Sequence, residues 1–510
     1  MTLFQEKQLL MGITKEAEAG SQRGFLDQID VSDCPVKYKL YKERWLILAV
    51  CCLLALSNAM QWISYITLTI ETRTFYCEDG VDCEPAFTTN QIFQLVAVLT
   101  GIGGMYITDV YGIRLSIMFG VTFNSIGSLI RLISASPQIV NSYIRLSLLH
   151  FGSTIVAAAQ AFFLVLPSKI AECWFPEDQR AISNVLTFIA NPAGVALGTL
   201  TPQLFFQSQN KTDVSFSRQS SQLFHYDLIM ASLTTTTFVF SFFIKRSLPP
   251  TPPSPANQDH ATGAPSFWPA ILICLKNKQF VVQLFTFALG FAQLWGVMVV
   301  FPDILDSIGY SISGYATAIC ALVGVISSIL AGAVADKTKK FKEIVQFCSV
   351  GFFLSAVLTR GYLEKKRQGI WDDVTILFLS SLLGAFSIPQ FPIGIEMGVE
   401  TTFPVFEATS SGLLVLSGQL WMFFLYALFM FVGGLPYFYE TSTNIESIGN
   451  WQLILDIWCV LCFTTAIITL FCLQPTYKRL IYEKNQTNYQ NSLHCSRHRT
   501  SSIEHKDLEN

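Results

Sequence analysis

The sequence predicts an all-α membrane protein of twelve transmembrane helices, arranged as two six-helix halves. Three observations predict it. Of 510 residues, 51% are hydrophobic and only 14% charged, against roughly a quarter charged in a soluble domain of this size. The apolar residues come in blocks of about 20, the length that crosses a hydrocarbon core of roughly 30 Å. A proline-rich polar stretch, Ser247-Leu-Pro-Pro-Thr-Pro-Pro-Ser-Pro255, stands near the middle and parts those blocks six and six.

In chain order, residues 1–44 are polar, mixed in charge and without the apolar stretch of a cleavable signal, so they read as a cytosolic tail and the first span as an uncleaved signal-anchor. Spans are expected at 45–69, 91–108, 113–134, 145–168, 181–205 and 225–244, within an N-terminal half of 45–246. A cytosolic linker covers 247–278. The second half, 279–474, holds spans at 279–302, 312–335, 344–360, 373–397, 408–433 and 451–474. Residues 475–510 are polar without apolar periodicity and read as a disordered cytosolic tail.

Orientation follows from the bias of basic residues toward the cytosol. With the N-terminus inside, 24 of the 33 Lys and Arg residues fall on cytosolic segments and 8 outside, leaving Arg131 within a span. Both termini are therefore expected in the cytosol. The polar loop Cys77-Glu-Asp-Gly-Val-Asp-Cys83 then lies outside, where Cys77 and Cys83 can close a short disulfide. The sequon at Asn210 also lies outside and is an expected glycosylation site, whereas Asn485 falls in the cytosolic tail. The plasma membrane is the expected location, ahead of the lysosome. Most other cysteines sit within spans and read as packing residues.

The composition excludes other classes. Net charge is −3, with no basic stripe interleaved with aromatics, so no nucleic-acid partner is expected. No nucleophile elbow, phosphate loop or paired-histidine metal motif occurs, so neither an enzyme nor a metal or cofactor site is expected. The expected partners are a small-molecule substrate and membrane lipid, and the expected state is a monomer.

The first span carries Ser57-Asn-Ala-Met-Gln-Trp-Ile-Ser-Tyr65. Asn58, Gln61, Trp62 and Tyr65 fall at i, i+3, i+4 and i+7, one helical face of two amides and two amphipathic rings. Polar side chains at mid-membrane face a partner helix or a wet cavity, so the face reads either as helix–helix adhesion or as one wall of a substrate pocket. A second signature occurs twice. Gly104-Met-Tyr-Ile-Thr-Asp109-Val-Tyr-Gly112-Ile-Arg114 follows span two, and Gly332-Ala-Val-Ala-Asp336-Lys-Thr-Lys339-Lys340 follows span eight. In each, a glycine allows close helix approach, an acid ends the helix and a base follows, as in a charge latch that forms when the cytosolic mouth is shut.

This repeated motif resembles the loop motif of the major facilitator superfamily. Asn58-Ala-Met-Gln-Trp62, Asp109-Val-Tyr-Gly-Ile-Arg114, Leu166-Pro-Ser-Lys-Ile-Ala171 with Trp174-Phe175, and Glu400-Thr-Thr-Phe-Pro404-Val-Phe-Glu407-Ala-Thr-Ser-Ser-Gly412 resemble the feline leukaemia virus subgroup C receptor-related family. Trp174-Phe-Pro-Glu-Asp-Gln-Arg-Ala181 and the proline run are similar to its orphan "major facilitator superfamily domain-containing" branch. The resemblance implies the major facilitator fold and transport by alternating access, with a central cavity lined by spans one, four, seven and ten. There the chain offers Asn58, Gln61, Trp62, Tyr65, Gln160, Gln293, Trp295, Gln390 and Glu396, with Gln419 added from span eleven. Family members that carry choline and ethanolamine hold the ammonium in an aromatic cage with a glutamine. Trp62 and Gln160 match two of those positions, Gln419 matches a family glutamine, and Trp295 is the nearest large ring to the remaining cage position. A cation over a Trp face gains up to ~2 kcal/mol when desolvated. Glu396 reads as a counter-charge in the cavity or as a helix-end carboxylate grouped with Glu400 and Glu407 in a further latch. The implied substrate is a small organic cation. Haem, with His150 and His225 the only histidines near spans, is the alternative, and a non-transporting receptor or partner role is a second one.

Overall fold

Among the described residues, twelve long helical spans run back and forth, several of them broken. The computed structural model describes residues 39–77, 83–176, 179–206, 216–251, 265–310, 312–364, 369–433, 451–482 and 484, and from Leu40 onward they belong to one unit. Span 1 is Glu43–Ile63 continued by a 3₁₀ turn, Ser64–Leu68, and a short helix, Thr69–Tyr76. Span 2 is Pro85–Val110, span 3 Ile113–Ser134, span 5 Arg180–Phe206 and span 6 Phe216–Ser241. Span 4 runs Ser142–Trp174 in three pieces. Spans 7, 8 and 9 are Lys278–Ile308, Ser313–Thr338 and Phe341–Leu363. Span 10 joins Ile370–Ser387 to Gln390–Thr402, span 11 is Glu407–Gly433 and span 12 Trp451–Phe471.

Eleven of these are long and apolar enough to cross a bilayer. The sixth is more polar, carrying Asp227 and the run Thr234 to Thr237. It also begins at Phe216 instead of 225. Its first turns look like loop by composition, but Leu223 and Tyr226 are fully buried and anchor them. Span 2 starts at Pro85 instead of 91, because a proline in the first helical turn has no N–H to leave unpaired. The linker expected over 247–278 contains a helix, Phe267–Lys276. Its Phe267, Ala270 and Cys274 pack inward while Trp268, Leu272 and Leu275 stay exposed, so this stretch is an amphipathic element and not only a spacer. Asn210 lies outside the described residues.

The breaks have local causes. Pro167 cannot donate to the carbonyl four residues back, and span 4 loses its α-helical course at Leu164–Val165 just before it. Pro389 does the same at the join in span 10. Spans 1 and 7 are the most enclosed, with 72% and 83% of their cores buried. The seam between the halves is built by span 5 against span 8 and span 2 against span 11. Apolar side chains such as Leu99, Phe151, Phe347 and Phe431 cover the outside, as a lipid-facing surface requires.

Inside the N-terminal half a hydrogen-bond network joins spans 1, 3, 4 and 6. Asn124 of span 3 is the hub. Its Nδ2 donates to Ser57 Oγ at 2.9 Å, and its Oδ1 accepts from Asn58 Nδ2 at 3.0 Å and Gln61 Nε2 at 3.2 Å. Asn58 Nδ2 also donates to the Val156 carbonyl at 2.9 Å. Arg131 Nη1 donates to the Gln61 carbonyl at 2.9 Å and its guanidinium lies 4.4 Å from the centre of the Tyr65 ring. The Tyr65 hydroxyl donates to Asp227 Oδ2 at 2.7 Å.

Candidate substrate site

That network decides the fate of the polar face on span 1. Asn58, Gln61 and Tyr65 are committed to helix adhesion within the N-terminal half, the first of the two readings open in the sequence. Asn58 and Gln61 are drawn to Asn124 of span 3, and the tightening to 3₁₀ from Ser64 takes Tyr65 off their face. Trp62 alone reaches the seam. Its ring meets Trp295 edge-on at 5.7 Å, and Trp295 in turn packs on Phe291 and Phe391. Trp62 Nε1 is buried with no hydrogen-bond partner. Gln293, on the same span as Trp295, turns instead into the C-terminal half, where Nε2 donates to Thr465 Oγ1 at 2.7 Å. Gln390 accepts from Ser349 Oγ at 2.9 Å and stays inside that half as well.

Gln160 and Gln419 come together across the seam. Both line a narrow cleft, with Ala97, Gly101 and Met105 of span 2 and Gly412, Val415 and Leu416 of span 11. Gln160 opens the short turn Gln160–Phe163 between the two breaks of span 4. Gly412, Val415, Leu416 and Gln419 share one face of span 11 by helical spacing. Each glutamine is 5% exposed, and each Oε1 lacks a hydrogen-bond partner. A buried carbonyl left without a donor costs ~1–3 kcal/mol, so the cleft presents two acceptors that a donor or a cation would relieve. Trp62 does not line this cleft: ring and amides, read together in the sequence, occupy adjacent but separate places here.

Below the cleft, at the end of the bundle where span 1 begins, is a charge cluster. Asp109 lies one turn beyond Met105, and its Oδ2 accepts from Thr409 Oγ1 of the other half at 2.5 Å. Lys169 Nζ stands 3.8 Å from Asp109 Oδ1 and 3.0 Å from Glu172 Oε2, and 4.5 Å from the centre of the Phe406 ring. This differs from the latch expected between Asp109 and Arg114: the cation is Lys169, brought in by span 4. Arg114 uses its backbone N–H, which donates to Ser247 Oγ. Gly112 has φ +89, so its role is a left-handed turn closed to other residues. Close approach belongs to Gly104, where a Cβ would lie 2.0 Å from the Ala161 carbonyl oxygen.

The second copy of the motif differs. Asp336 and Lys339 pair at 3.8 Å within one helix, both about half exposed. The cross-half contact on that side runs from Asn184 Nδ2 of span 5 to Glu396 Oε2 at 3.3 Å, so Glu396 sits at that end and not in the cleft. Glu400 accepts from the Leu480 backbone at 3.0 Å, and Glu407 pairs with Arg479 at 2.8 Å. Both hold the segment after span 12. At the opposite end Cys77 and Cys83 form a disulfide. Sequence reading missed Lys169, Asn124, Asn184 and Asp227. An acid and a base within apolar spans, Asp227 and Arg131, were the signal available for that intramembrane pair.

Comparisons with known proteins place this architecture. The sequence profile of the Major Facilitator Superfamily matches residues 86–393. Solute carrier family 49 member A3 of Xenopus tropicalis is 29% identical over 468 residues, covering 90% of this chain and 92% of the relative. The choline/ethanolamine transporter flvcr2a of Danio rerio is 27% identical over 393 residues, covering 75% and 78%. Among solved structures, the proton:xylose symporter XylE bound to 6-bromo-6-deoxy-D-glucose superposes with a TM-score of 0.62 at 14% identity, over 86% of this chain and 98% of that one. These relatives and neighbours are transporters and not enzymes. On the fold, the seam and the profile match together, the chain belongs to the major facilitator superfamily.

Proposed function

We propose that this transporter carries a small organic cation of the choline or ethanolamine class by alternating access. The observation that carries the reading is the pair of unpartnered amide oxygens, Gln160 and Gln419, facing one cleft on the seam. Two acceptors suit an ammonium group, donating from ethanolamine or held by charge and dipole in choline. The Trp62–Trp295 pair, one layer away, supplies the π faces that complete such a site when the halves part. Relatives named as choline/ethanolamine transporters support the same class. The expected setting is the plasma membrane, with both termini cytosolic, the disulfide end outside and one chain per functional unit. Haem is the less supported reading, because no histidine or cysteine among the described residues lines the cleft of Gln160 and Gln419.

The test is uptake of radiolabelled choline by purified protein in liposomes. Wild type accumulates label. Gln160→Ala and Gln419→Ala each reduce initial rates by ~10-fold or more, the scale of one lost charge-assisted contact, with the amount of reconstituted protein unchanged. Wild-type rates in both variants, or no uptake by the wild type, would overturn the reading.

A further inference from the structure

Carboxylates from three elements converge at the disulfide end. Glu71 comes from the helix Thr69–Tyr76, Glu84 from the residue before span 2, and Asp303 and Asp306 from the last turns of span 7. Arg73 Nη1 pairs with Glu84 Oε1 at 3.1 Å. Glu71 interacts electrostatically with Asp306. Asp303 interacts electrostatically with Asp306 and Glu84, and the Tyr426 hydroxyl with Asp303 and Glu84.

A second, independent observation lies directly beneath this mouth. Asn90 is 0% exposed and Gln94 1%, yet both amide atoms of Asn90 and Oε1 of Gln94 have no hydrogen-bond partner. Asn90, Gln94, Ala97 and Gly101 fall at i, i+4, i+7 and i+11, a single face of span 2. At its upper end, Phe87 meets the Tyr426 ring at 5.2 Å, beside Asp303 and Glu84. At its lower end, Ala97 and Gly101 line the cleft of Gln160 and Gln419. Amides orphaned in apolar surroundings are destabilising unless something else uses them. Here they stand in a column between a negative mouth and the candidate site.

We propose that Asn90 and Gln94 form a relay station for a cationic substrate, between an acidic mouth of Glu71, Asp303 and Asp306 and the cleft of Gln160 and Gln419. This rests on the transport reading above and adds to it the side from which the cation arrives and the residues it meets first. Field focusing in an acidic mouth concentrates cations and raises their arrival rate.

The experiment uses thiol reagents so that its failure is separable from a wrong choice of substrate. Asn90→Cys in the full chain, reconstituted in liposomes, is treated from the disulfide side with two methanethiosulfonates, one bearing a trimethylammonium and one a sulfonate. The protein without the new cysteine supplies the baseline. The cationic reagent is expected to react faster by ~10-fold beyond the ratio the two show on a small free thiol. Adding Asp303→Asn and Asp306→Asn, or raising ionic strength, should return the ratio toward the free-thiol value. In parallel, Asp303→Asn with Asp306→Asn should raise KM for choline several-fold with kcat retained. A free-thiol ratio in both backgrounds, or no reaction at position 90, overturns the relay even if choline is transported. A charge-dependent ratio without choline uptake keeps the relay and rejects that substrate.

Discussion

Lys169 is the residue whose chemistry is furthest from its surroundings, an amine near the end of span 4 that is only 8% exposed. It is held by Asp109 and Glu172 and capped by the Phe406 ring. Removing one member of a buried ion cluster leaves the rest uncompensated and costs ~3–5 kcal/mol, whereas an exposed pair contributes ~0–1 kcal/mol. Lys169→Met should therefore lower the melting temperature of the purified protein markedly, because two acids remain buried without their cation. Lys339→Ala, removing the half-exposed partner of Asp336, should leave melting unchanged. Equal effects of the two variants would mean that burial does not separate the two copies of the motif. Residue identity alone did not distinguish them, since both read as an acid followed by a base. What decides is which neighbouring span delivers a cation, and that is a tertiary fact.

At the scale of elements, the long spans and the six-plus-six division were legible, because apolar length is a one-dimensional property. The breaks were not. Span 1 tightens at Ser64 without a proline or glycine to announce it, which is why Tyr65 was grouped with Trp62 although it turns to Asp227. The helix Phe267–Lys276 was hidden by the proline-rich sequence before it and by being too short to span. Gln160 and Gln419 were legible through family resemblance; that their oxygens are the unpartnered pair depends on how close spans 2, 4 and 11 approach. Gly104 sets part of that approach. A methyl there would lie 2.0 Å from the Ala161 carbonyl oxygen, a backbone atom that cannot swing aside. Gly104→Ala should destabilise the protein by ~1–3 kcal/mol, measurable as a lower melting temperature, while Gly103→Ala, with nothing within 4 Å of its added methyl, serves as the control. A neutral Gly104→Ala would mean that spans 2 and 4 are held apart more loosely than described.

Across the whole molecule, the end of the bundle where span 1 begins is held shut by contacts that cross between the halves. Asp109 with Thr409 and Glu396 with Asn184 are hydrogen bonds to carboxylates, each worth ~1.5–3 kcal/mol. A ligand shifts such an equilibrium only by its difference in affinity for the two states, so a substrate that opens this end must gain several kcal/mol from groups brought together on the way. The amides of Gln160 and Gln419 and the rings of Trp62 and Trp295 are the groups available. The reading therefore requires that the seam below the cleft opens in every cycle. Met105 and Gly412 mark that place, since a Cβ on Gly412 would lie 2.2 Å from the Met105 sulfur. The double variant Met105→Cys with Gly412→Cys, oxidised by copper phenanthroline, should cross-link spans 2 and 11 and stop choline uptake, and dithiothreitol should restore it. Neither single variant should respond to oxidation in this way. Transport that continues in fully cross-linked protein would show that spans 2 and 11 do not separate during the cycle, and rocking of the two halves about this seam would have to be abandoned.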